Sequence, residues 1–72
     1  MSEANDSVAR VLRGIKAEQK LSVRVIVERT GIPTTTVNRM LSGQRDIKIT
    51  QLFKLAECFG VELADVFRKA AG

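Results

Sequence analysis

The chain has 72 residues, 44% apolar, 4% aromatic and 28% charged. That length excludes several domains and that charged fraction excludes wholesale disorder, which leaves one small aliphatic core of the kind a bundle of short helices provides. Twelve Lys and Arg against eight Asp and Glu give a formal charge of +4, which suits a polyanion partner without identifying one.

The segment 1–6 is polar and acidic, unlike a signal peptide, and is expected to be flexible. No apolar run approaches membrane-spanning length, so a cytoplasmic protein with no membrane partner is expected. The first helix runs from Ala4 or Val8 through Gln19, because Val8, Val11, Leu12 and Ile15 fall at i, i+3, i+4 and i+7. Asn5, Asp6 and Ser7 are alternative N-caps. Arg10, Arg13, Lys16 and Lys20 lie off the stripe, as a solvated face or, for some of them, as phosphate contacts.

Leu21-Ser22 opens a second helix, Val23 to Thr30, with Ser22 as N-cap and Ile26, Val27 and Val23 inward. The run Val23-Arg24-Val25-Ile26-Val27 favours a strand by propensity, but Ser22 and Gly31 bracket a helix. Gly31 stops that helix where a turn needs positive φ. Ile32 then plugs the angle between two helices, and Pro33 suits a helix start. The third helix spans Thr34 to Leu41, with Val37 and one or both of Met40 and Leu41 inward, and Ser42-Gly43 ends it.

Gln44 to Ile49 is a loop with Ile47 and Ile49 tucked under the body. Thr50 caps a fourth helix with the stripe Leu52, Leu55, Ala56 and Phe59, closed by Gly60; Phe53 lies off the stripe. Cys58, the only cysteine, is a small core residue or a redox sensor. With one Cys and no His, no disulfide framework, zinc site or histidine catalysis can be built within one chain. A last helix runs from Glu62 to about Ala70, and residues 70–72 fray. Val66 and Phe67 complete the core or, with Leu63, form a dimer patch.

On the third helix, Val37 points inward, so Thr34, Thr35, Asn38 and Arg39 face outward over its first turns. Threonine can bond base edges or cover a thymine methyl, Asn can pair with adenine and Arg with guanine. From Arg29 to Arg45 there is no Asp or Glu to repel phosphate. The two helices with their turn, about residues 22–42, therefore read as a helix-turn-helix that lays its second helix in the major groove. The same Thr and Asn side chains would also suit an ordinary helix start and solvated surface.

The span Leu12 to Phe67 resembles the Cro/C1-type helix-turn-helix family of phage repressors and xenobiotic-response-element regulators. The matching features are Leu21-Ser22, Gly31-Ile32, Thr36-Val37, Gly43, and then Leu52, Leu55-Ala56, Phe59-Gly60-Val61, Leu63 and Val66-Phe67. The resemblance implies one all-α domain over residues 1–72, a five-helix bundle of the lambda-repressor-like type. It implies a sequence-specific regulator, most simply a repressor, that binds double-stranded operator DNA, as a homodimer on a palindromic site. By position, Pro33, Thr34, Thr35, Asn38 and Arg39 match base-reading or groove-facing places. Thr36, Gln44 and Arg45 match phosphate-contacting places, and Ser22, Val23 and Arg24 open a helix whose N–H groups can meet a phosphate.

Two residues depart from the family pattern. Val23 stands where a phosphate-clamping Gln is common, and Val27 where a small Ala lets the helices approach closely. Two other readings use the same fold: an antitoxin or adaptor with a protein partner, and the detached DNA-binding domain of a longer regulator. No nucleophile–base pair, carboxylate pair or ligand cluster stands out, so neither an enzyme nor a cofactor is expected.

Overall fold

A computed structural model describes residues 3–72, with side chains from residue 5 onward. Five helices follow one another: α1 (Glu3–Gln19), α2 (Val23–Thr30), α3 (Thr34–Ser42), α4 (Ile49–Phe59) and α5 (Leu63–Ala71). The described residues contain no strand, and none of their helices is long and apolar enough to cross a membrane.

Each helix sends at least one completely buried side chain to a shared centre: Leu12, Ile26, Val37 and Met40, Leu55 and Val66. Full burial of such aliphatic side chains stabilises by about 1.5–3 kcal/mol each, so no helix can be removed without opening the core. The stripe on α1 is as its spacing predicts, with Val8, Leu12 and Ile15 buried and Val11 half-buried. Both Met40 and Leu41 point inward. Cys58 packs half-buried against the core.

The strand-prone run in α2 is helical because both its ends are fixed. The Ser22 hydroxyl accepts the Val25 N–H at 3.2 Å. Gly31 then closes the helix with φ 75°, its N–H donating to the Val27 carbonyl at 2.8 Å. Ile26 is completely buried, while Val23, Val25 and Val27 are half-buried around it.

Several boundary expectations are corrected. Residues 3–6, expected to be flexible, are the first turns of α1, whereas Met1 and Ser2 lie outside the described residues. Asn5, Asp6 and Ser7 lie inside α1 rather than ahead of it, and the Asn5 side chain reaches the α3–α4 loop. Pro33 is the N-cap of α3, whose end extends to Ser42. Lys48, not Thr50, is the N-cap of α4, because its carbonyl already accepts the Leu52 N–H at 2.9 Å. Ile49 thereby becomes the first residue of α4, ahead of the buried stripe, and is 53% exposed rather than tucked in. Glu62 caps α5, and Ala70 and Ala71 continue that helix, with the Gly72 N–H closing it on the Arg68 carbonyl at 3.1 Å. Val66 is core, but Phe67 is 44% exposed.

The corner between α2 and α3 relies on a residue that periodicity does not single out. Thr30 is buried; its hydroxyl donates to the Ile26 carbonyl at 2.7 Å and accepts the Ile32 N–H at 3.2 Å. Thr30→Val keeps the shape but leaves a buried N–H without a partner. It should lower the unfolding free energy by about 1–3 kcal/mol in urea denaturation, and Thr30→Ser, which retains both bonds, should lose less.

Candidate nucleic-acid interface

The same periodicity that turns Val37, Met40 and Leu41 inward sends the opposite face of α3 to solvent. Pro33, Thr34, Thr35, Asn38, Arg39 and Ser42 are all exposed, and Thr36 is half-buried at the edge of that face. The five candidate base readers therefore lie together over the start and outer side of one helix.

They do not, however, share one environment. Consecutive residues of a helix point about 100° apart, and Asn38 and Arg39 fall into separate depressions. Arg39 shares one with Gln44, Arg45, Asp46 and Lys48 of the α3–α4 loop. Asn38 shares the other with Arg13, Lys16 and Ala17 of α1, Val23 of α2, and Leu41 and Ser42. The crest of α3 runs between the two.

The loop side is held from a distance. The Gln44 N–H donates to the Arg39 carbonyl at 3.0 Å and finishes the C-terminus of α3. Gly43, with φ 76°, makes the reversal where α1 passes close; a Cβ there would meet Asp6 Oδ1 at 3.0 Å. The Asn5 amide then bridges the loop, donating to the Arg45 carbonyl at 2.9 Å and accepting the Ile47 N–H at 3.1 Å. The backbone beneath Arg45 and Lys48 is thus tied to α1. Among the described residues, Arg39, Arg45 and Lys48 form no ion pair, so their charge is available to an outside anion.

The candidates at the start of α2 divide differently. The Ser22 hydroxyl oxygen accepts the capping bond from the Val25 N–H, which leaves its proton to donate elsewhere. The Val23 and Arg24 N–H groups belong to the first turn, which lacks intrahelical acceptors, while the Val23 side chain packs half-buried against the core. Arg24 Nε is 3.3 Å from Glu28 Oε1, with both side chains largely exposed; such a pair stabilises little and yields readily.

Two contributors escaped the sequence reading. Lys48 sits in an expected loop, where its only signal was its closeness to Gln44 and Arg45. Arg13, which spacing places on the solvated side of α1, has a further part: its Nη1 donates to the Leu41 carbonyl at 2.5 Å and ties α1 to α3. A residue pair 28 apart in sequence leaves no periodic trace.

The profile of the helix-turn-helix family matches residues 9–66. No curated protein matches the chain by sequence. Among solved structures, the clp gene regulator ClgR from Corynebacterium glutamicum overlays with a TM-score of 0.89 at 20% identity, over 96% of this chain and 90% of that one. The restriction-modification controller protein C.AhdI from Aeromonas hydrophila overlays with a TM-score of 0.79 at 21% identity, over 85% of this chain and 92% of that one. At these identities the likeness is one of fold, the five-helix, lambda-repressor-like bundle.

The Asn5 bridge has a local signature. Asn5→Ala gains helix propensity of about 0.5 kcal/mol in α1 but loses both loop bonds. Amide hydrogen exchange should show Ile47 losing roughly tenfold or more of its protection, with the core amide of Leu55 changing much less.

Proposed function

We propose a function from one premise: the chain belongs to the helix-turn-helix family of the Cro/C1 type. Membership carries double-stranded DNA binding and transcriptional regulation. On that basis the chain is a sequence-specific regulator, acting in the cytoplasm as a repressor by occupying promoter DNA. α3 lies in the major groove, with Pro33, Thr34, Thr35, Asn38 and Arg39 toward the bases. Thr36, Gln44, Arg45 and the first N–H groups of α2, from Ser22 through Val23 to Arg24, meet backbone phosphates.

The observation that carries this reading is the outer face of α3: exposed hydrogen-bonding side chains on a helix pinned to the core, in a stretch without acidic residues from Arg29 to Arg45. Paired copies of the chain would set two such helices about 34 Å apart on a palindromic operator. Large apolar side chains left exposed on α4 and α5, namely Ile49, Phe53 and Phe67, suit a protein contact. A second copy is the occupant this reading favours; an antitoxin or adaptor would use the same side chains for a different protein.

Selection of bound sequences from random duplex DNA, with stoichiometry measured on the winner, tests the proposal. A palindrome bound by two chains supports it, and the absence of any enrichment at low salt removes it. On the selected duplex, Asn38→Ala and Arg39→Ala should each cost about 1–3 kcal/mol of binding and relax preference at a few base pairs. Arg45→Ala should weaken all duplexes alike and flatten the salt dependence. Unchanged base preference in both α3 variants would refute their assigned roles.

A further inference from the structure

A helix with its side chains is about 10–12 Å across, and the major groove is about 12 Å wide. A helix in that groove fills it, so both its flanks meet the sugar-phosphate backbones that border the groove. One flank of α3 has the loop depression, where Arg39, Arg45 and Lys48 outnumber Asp46. The other flank has a depression of similar character: beside Asn38, Arg13 and Lys16 stand over a floor of Ala17, Val23 and Leu41, with no acidic residue.

We propose that Lys16, braced by Arg13, is a backbone-phosphate ligand of α1 on the flank of α3 opposite Arg45 and Lys48. This deepens the DNA-binding reading and rests on it. The Val23 side chain has no hydrogen-bonding group to offer a phosphate here, so the side-chain charge on this flank comes from α1. Arg13 is already oriented by its bond to the Leu41 carbonyl. Lys16 has no ion pair among the described residues, and its four-carbon stem lets the ammonium follow a phosphate. The Ser42 hydroxyl donates to the Arg39 carbonyl at 3.1 Å, so its proton is committed to the helix end. Asn38, at the rim between this depression and the crest, remains free for the bases.

Lys16 also lies in the last turn of α1, where positive charge favours a helix on its own account. The test must therefore move with phosphate contact and not with helix stability. The full chain is titrated onto its selected duplex and onto a scrambled one between about 50 and about 200 mM salt, the range over which counterion release is large. Each phosphate contact contributes about 0.9 to the slope of log affinity against log salt. Lys16→Gln should reduce the slope by about that amount per bound chain on both duplexes, so that the wild-type advantage shrinks about threefold per chain across the range. Lys16→Arg should restore the slope. Lys54→Gln, which removes the same charge from α4, should reduce it much less.

Equal slopes for Lys16→Gln and Lys54→Gln, with the wild-type chain binding its operator, overturn the α1 seat and leave the wider reading standing. Loss of melting temperature in Lys16→Gln without a change of slope also overturns it, as a helix-end effect. Failure of the wild-type chain to bind either duplex at low salt removes both.

Discussion

The geometry of the candidate interface depends on the corner at Thr30, Gly31 and Ile32. A helix end buried next to a second helix start must find partners for its orphan backbone groups, or lose about 1–3 kcal/mol for each one left bare. Here the Gly31 N–H goes back to Val27, and the Thr30 hydroxyl serves the Ile26 carbonyl on one side and the Ile32 N–H on the other. The Ile32 side chain is then held buried between the helices. In a chain this small, whose total stability is a few kcal/mol, that local satisfaction is a large share of what keeps α3 at one angle to α2.

Positive charge beside α3 would work against a compact fold if the helix were held only by its apolar face. α1 offsets this through side-chain bonds to backbone at three levels along its length. Asn5 holds the loop after α3, Arg13 holds the last turn of α3, and Gln19 donates to the Phe59 carbonyl at 2.7 Å at the end of α4. Each bond takes up a carbonyl that lies at or beyond a helix end, where intrahelical donors run out. The first helix is thus a spine against which the α2–α3 pair and α4 are set, and one of its ties, Arg13, belongs to the wall of a cationic depression.

What was legible beforehand follows from range. Apolar stripes repeat within one helix, so Val8, Leu12 and Ile15, or Leu52, Leu55 and Phe59, declared their buried faces from spacing alone. Gly31, Gly43 and Gly60 marked helix ends because a positive φ is a local demand, and all three have one. The outward placement of Thr34, Thr35, Asn38 and Arg39 followed from that of Val37. The errors fell where tertiary bonds overrule local chemistry. Asn5 has the side chain of an N-cap but is used 40 residues away, on Arg45. Thr50 has a better capping group than Lys48, yet the chain enters α4 before reaching it. The division of α3's flanks between two depressions depends on α1 and on the loop, neither of which its own sequence describes.

Lys48 gives that last point an energetic form. A lysine at the N-cap of α4 supplies no side-chain bond to the helix start, and the first turn of α4 contains no acidic residue. Both choices oppose the usual preference for oxygen acceptors and negative charge at a helix N-terminus, each typically worth some tenths of a kcal/mol to about 1 kcal/mol. The free fold would be better served by Ser or Asp at that position. With a phosphate in the depression formed by Arg39, Gln44, Arg45 and Lys48, the balance reverses: the anion meets the positive end of α4, and the lysine becomes its counter-charge. A residue that gives the start of α4 no side-chain bond in isolation is thus one that DNA binding would turn to advantage.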